Sequence, residues 1–139
     1  MASMKCAARP ATKSRAVPIS SRSWRMAACP RRTIQLKEAG LPMGFGTDLL
    51  GQLHKYQSME FEIRAKVLTA HDILYSASRV SSRLCMMENQ IGVISEGAYA
   101  DFVVVNGNPL EDVTILSRPE KSLAAIVRGG KFYKNTLAA

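Results

Sequence analysis

One stretch stands out for chemistry. Met43 to Gly51 reads Met-Gly-Phe-Gly-Thr-Asp-Leu-Leu-Gly, an apolar lead-in, two glycines and a single carboxylate, Asp48. A strand that ends in a Gly-rich turn and presents Asp at its tip can place a metal ligand or a general base. An ordinary surface turn uses the same residue types, because Gly and Asp both favour turns. The histidines are His54 and His71, 17 residues apart. His54 lies six residues past Asp48, and on a loop at the rim of a site it would touch a substrate or support a residue that does. A solvated loop residue is the competing reading. His71 falls in the first turn of a helix and reads as a surface residue. The cysteines, Cys6, Cys29 and Cys85, show no CxxC spacing and no metal-finger pattern. Cys85 lies in an apolar helical pattern and reads as a small core residue in a reducing compartment.

The elements that must position Asp48 follow from the pattern on either side. Thr33 to Ala39 is helical in character and stops at Gly40, a natural residue just past a helix end. Leu41 to Phe45 reads as a short buried strand, with Pro42 tolerated near its start. Residues 52–57 form a polar loop. Ser58 is placed to cap a helix reaching about Val67, with Met59, Ile63 and Val67 on one face. Thr69 to Asp72 is a capping box. The helix behind it is expected to run to about Met87, with Ile73, Leu74, Ala77, Val80 and Leu84 facing the core and Asn89 as its stop.

After Asn89 the period changes. Ile91 to Ile94 is a candidate strand, Ser95 to Gly97 a turn, and Asp101 to Val105 a strand ending in three valines. Residues 106–109 make a second turn. Leu123 to Arg128 and Lys131 to Lys134 flank Gly129-Gly130, the signal of a two-residue hairpin.

The totals bound the class. The chain has 139 residues, enough for one domain, and 47% hydrophobic content. No apolar run approaches the roughly 18 residues a membrane span needs. The net charge of +8 is unevenly placed. Residues 1–37 hold nine Lys/Arg and no acid, leaving ten basic and eleven acidic residues in 38–139, a net of −1. Residues 1–32 lack a sustained period and read as a disordered basic segment. An organelle transit segment has this composition, and so do a basic arm for acidic partners and a stretch without selected structure. Nucleic-acid binding is not expected, since Trp24 is the one aromatic there and no reading motif is present. The location expected is cytoplasmic or organellar, not secreted.

The ordered pieces resemble a known family. They are Gly-Phe-Gly-Thr-Asp at 44–48, the Thr-capped helix with Ser76-Ala77-Ser78, Ile91 to Ile94 with Gly97, Ala100 to Val105, Asn108 to Asp112, and Ile126 to Lys131. In this order they resemble the C-terminal end of the metal-dependent amidohydrolases, in the imidazolonepropionase-like and Xaa-Pro dipeptidase-like branch. The resemblance implies an α/β fold: the last strand and flanking helices of a (β/α)8 barrel at 33–88, then a small antiparallel β-sandwich piece at 89–139. It implies that Asp48 binds Zn²⁺ or another divalent metal and takes a proton from the metal-bound water, and that the substrate is a small molecule or dipeptide-like compound with a C–N bond. The family's other ligands, an HxH pair, a Lys or Glu and further histidines, have no counterpart here. A full barrel needs at least about 200 residues, more than the chain contains.

Three functions follow as expectations. The first is a C-terminal hydrolase fragment carrying Asp48 and inactive alone. The second is half of a split or oligomeric hydrolase, completed by self-association or a partner chain. The third is a non-catalytic module that binds acidic partners through its basic arm.

Overall fold

The computed structural model describes residues 30–47, 49 and 51–137, with side chains from Thr33 onward. The basic N-terminal segment up to residue 29, and Asp48 itself, lie outside the described residues.

Helix α1 spans Pro30–Glu38, three residues earlier than the periodicity predicts. Its end is a Schellman motif. Gly40 takes φ +65°, its amide donates to the Lys37 carbonyl, and the Leu41 amide donates to the Leu36 carbonyl, both at 3.0 Å. Those two bonds satisfy carbonyls the helix leaves open and turn the chain sharply.

The expected strand at Leu41–Phe45 is not one. Residues 41–47 are irregular and join no ladder among the described residues. A strand needs a neighbour to take its backbone groups. Here side chains take them.

The predicted polar loop at 52–57 is instead part of a 3₁₀ helix, Gly51–Met59, which leads into α2, Glu60–Ala65. Ser58 does not cap α2. Met59 occupies the N-cap position without a side-chain cap bond, and Ser58 is buried in the preceding turn. The buried side of this segment is Glu60, Arg64 and Leu68, not Met59, Ile63 and Val67, and Met59 is exposed. A polar pair that satisfies itself can be buried where the amphipathic rule would put apolar residues.

Helix α3, Ala70–Tyr75, starts at the predicted capping box. The Thr69 hydroxyl accepts from the Asp72 amide at 3.2 Å and the Asp72 carboxylate accepts from the Thr69 amide at 3.4 Å. The helix continues as a π-helical turn, Ser76–Val80, and then as α4, Ser81–Leu84. It stops three residues short of Met87. Met86 adopts φ 56°, its amide donates to Arg83 and the Met87 amide donates to Ser82, a second Schellman closure with Met in the glycine position. Cys85, expected in the core, is half-buried at the end of this helix.

Residues 91–94 also fail to form the expected strand. Gly92 has φ +73°, which breaks an extended run, so Ile91 turns in while Ile94 is 92% exposed. The later elements match their sequence signals more closely. Strand β1 is Phe102–Val105, β2 is Leu123–Arg128 and β3 is Lys131–Asn135. They form one antiparallel sheet in the order β1-β2-β3, with Phe102 opposite Val127 and Val127 opposite Phe132. Gly129 and Gly130 take φ +55° and +74°, the positive pair that a tight two-residue hairpin requires. A 3₁₀ turn, Val113–Ser117, and a short helix α5, Pro119–Ser122, connect β1 to β2. The described residues thus make a small α/β unit with one three-stranded sheet, and neither a full barrel nor a second sheet layer is present among them.

The core next to the irregular segment is Leu68, Ile73 and Val113. Met43, Phe45, Phe61 and Leu116 pack against it, and the Phe45 and Phe61 rings lie 4.5 Å apart. The chain leading to Asp48 is therefore anchored on packed helices.

Candidate functional site

The site begins with residues that sequence reasoning passed over. Arg64 is 1% exposed and Glu60 3%, one helical turn apart on α2. The Arg64 Nε donates to Glu60 Oε1 at 2.6 Å. Its other two nitrogens leave the helix: Nη1 donates to the Ser76 hydroxyl at 3.2 Å and Nη2 to the Gly44 carbonyl at 3.0 Å. The guanidinium also lies over the Phe45 ring, 4.9 Å from its centre. Arginine suits this place because its planar fork serves several acceptors at once. Removing one partner of such a buried pair costs about 3–5 kcal/mol, since a buried charge is left unpaired.

Two serines complete the contacts. The Ser76 hydroxyl donates to the Met43 carbonyl at 2.5 Å. The Ser81 hydroxyl accepts from the Phe45 amide at 3.1 Å and donates to the Ser76 carbonyl at 2.8 Å. Glu60 and Arg64 at i and i+4 were a readable pairing signal. Nothing local in the sequence tells that the pair is buried, because its distant partners lie 12 and 20 residues away in the chain.

The histidines do not converge on this point. His54 is exposed on the 3₁₀ helix. His71 is exposed on α3, as expected, stacked near Tyr75 with ring centres 6.1 Å apart. Beside it, Asp72 accepts from Lys37 Nζ at 2.6 Å. The Lys37 hydrogen bond, then that of the Thr69 hydroxyl, hold the Asp72 carboxyl below the usual range. Both partners of this ion pair are substantially exposed, so it contributes little to stability.

No group of three His, Cys, Asp or Glu side chains that could hold a metal ion occurs among the described residues. A catalytic zinc takes about three protein ligands. The described residues therefore do not by themselves fit the metal that the resemblance implies. No helix among them is long and apolar enough to cross a membrane.

Comparison with known proteins addresses the family. The sequence profile of the amidohydrolase family matches residues 30–131. The chain belongs to the amidohydrolase family. Solved structures agree with this membership. A prolidase in complex with N-methylphosphonate-L-proline is 42% identical, with a TM-score of 0.70 over 76% of this chain and 26% of its own. An amidohydrolase is 40% identical with a TM-score of 0.73, again over 76% and 26%. A Xaa-Pro dipeptidase with bound methionine in its active site is 27% identical, with a TM-score of 0.69 over 76% and 25%. The chain thus spans about a quarter of the length of these structures. No curated protein sequence matches it.

Proposed function

We propose that this amidohydrolase chain is the C-terminal part of a metal-dependent hydrolase of amide or peptide-like C–N bonds, and that it is inactive alone. The observation that carries the reading is the 42% identity to a prolidase over three quarters of this chain, combined with coverage of only 26% of that prolidase. The substrate class that follows is a small dipeptide-like molecule, with Xaa-Pro dipeptides the first to try. Asp48 is the residue this chain contributes to the chemistry, as ligand and proton acceptor, and His54 is a rim residue for substrate. Support for incompleteness comes from the sequence, whose two histidines, His54 and His71, stand 17 residues apart and form no HxH pair.

Two measurements test this. Purified chain incubated with Xaa-Pro dipeptides and Zn²⁺ or Mn²⁺ should release no amino acid above a no-protein control. Turnover that disappears in Asp48→Ala would show an active chain and overturn inactivity alone. Calorimetric titration of Zn²⁺ should show no tight site; submicromolar binding lost in Asp48→Ala would mean that enough ligands converge within the chain or across copies of it.

A second reading, completion by a partner chain, is favoured by the exposed apolar side chains of the C-terminal half. Ile94, Phe132 and Tyr133 are 92%, 60% and 69% exposed. Co-expression with a chain carrying the remainder of an amidohydrolase fold should yield a stable complex if this reading holds. Separate elution of the two chains would count against it.

A further inference from the structure

The backbone of residues 43–45 offers polar groups that a barrel strand would give to neighbouring strands. In this structure two carbonyls and one amide go to side chains instead. Met43 is held by Ser76, Gly44 by Arg64 and Phe45 by Ser81. The contacts depend on one another. Ser76 also accepts from Arg64, and Ser81 also donates to the backbone of Ser76.

The π-helical turn is what makes this set geometrically possible. At 3.6 residues per turn, residues five apart on an α-helix point about 140° away from each other. The turn at Ser76–Val80 widens the helix, and the Ser81 amide donates to the Ser76 carbonyl five residues back. Ser76 and Ser81 are thereby brought to bear on the same three-residue segment. Such bulges concentrate at functional sites. The loop at Gly92 packs against the same turn: a Cβ at Gly92 would lie 2.5 Å from the Ser78 carbonyl oxygen.

We propose that Arg64, Ser76 and Ser81 form a side-chain clamp, assembled by the π-turn, that fixes the path of the chain into Asp48, with Arg64 as a positioning residue. The significance for chemistry rests on the reading of Asp48 given above; the clamp itself does not. A purely structural ion pair would need only Glu60 and Arg64. It would not need the remaining guanidinium nitrogens aimed at Gly44 and Ser76. Lysine would keep the charge opposite Glu60 but has no fork to reach all three partners.

The test is amide hydrogen exchange by NMR on the full chain, comparing wild type with Arg64→Lys, Ser76→Ala, Ser81→Ala and Ser81→Thr. The clamp predicts at least tenfold faster exchange of the Phe45 amide in Ser81→Ala and Arg64→Lys. The β2 amides, Leu123 to Arg128, should stay within twofold, and Ser81→Thr should restore protection by returning the hydroxyl. Equal acceleration at Phe45 and in β2 would show a general structural role and overturn the proposal, as would unchanged Phe45 exchange. Should Arg64→Lys fail to fold, the serine variants decide alone.

A second readout separates the clamp from the reading of Asp48. Mn²⁺ alone should broaden the Thr47 and Leu49 amide resonances in wild type, not in Asp48→Ala, and at least threefold more weakly in Ser76→Ala. Equal broadening in wild type and Ser76→Ala would overturn the positioning role. Absence of broadening in wild type would remove the metal role of Asp48, and the clamp would then stand or fall on exchange.

Discussion

Met86 is the residue that most plainly works against its own conformation. It closes a Schellman motif at φ 56° while 67% exposed, in the position where glycine carries no Cβ penalty. Met86→Gly removes the strain but adds freedom to the unfolded chain, and the first effect is the larger at positive φ. The expected gain is about 0.5–1 kcal/mol, read as two- to fivefold slower exchange of the Met87 amide. Asp72 gives a prediction in pH. Its carboxylate is stabilised by Lys37 first and Thr69 second, so the folded chain releases this proton at lower pH than the unfolded one. Its contribution is therefore complete above the ordinary Asp value of about 3.9 and is lost as pH falls through the lower, native value. An NMR titration of the Asp72 carboxyl should show a midpoint below that ordinary value, and Lys37→Ala should raise it. A midpoint unmoved by Lys37→Ala would mean the ion pair does not persist in solution. Thr69 and Asp72 were legible in the sequence because a capping box is written within four residues. The burial of Glu60 and Arg64 was not, since the partners that make it tolerable come from Gly44 and Ser76.

At the scale of elements, the divide between legible and illegible follows the range of the deciding interaction. The Gly129-Gly130 hairpin and the Gly40 helix stop are set by local backbone preference, and both occur where the residues called for them. The two failed strands, at 41–45 and 91–94, had strand-like composition but no neighbour to pair with among the described residues. The π-turn was invisible for a related reason: its Ser-Ala-Ser-Arg-Val sequence fits an ordinary helix, and what favours the wider turn is the set of bonds to the 43–45 segment. Gly92 supplies the test of that packing. Alanine there meets both a positive φ, costing about 1–2 kcal/mol, and backbone of the π-turn at 2.5 Å from its Cβ. Gly92→Ala should loosen the turn locally, seen as faster tryptic cleavage after Arg79 and Arg83. Unchanged cleavage would show that the 91–93 loop moves aside freely.

For the molecule as a whole, the question is what covers the surfaces left open. Among the described residues the strictly buried apolar set is short: Leu68, Ile73, Ile91, Val113 and part of β2. Small folds of this kind bury a low fraction of their surface and are marginal alone. Across the sheet, Phe102, Val127 and Phe132 stand in one row, with Val127 buried between two outer rings that are 39% and 60% exposed. Among the described residues strands β1 and β3 are both edges, and open edges invite pairing with another chain. Lys131 and Lys134 lie on β3 and oppose such pairing by their charge, which Lys134 keeps while its Nζ donates to the Pro119 and Glu120 carbonyls. Against that charge stand the apolar row and the two strand edges, and on their account the purified chain should self-associate with rising concentration. Sedimentation velocity should show species above 15.2 kDa at high concentration, and Phe132→Ser with Tyr133→Ser should return the monomer. A wild-type chain that stays monomeric would mean that these rings tolerate water, and the surface argument for a completing partner would lose its support.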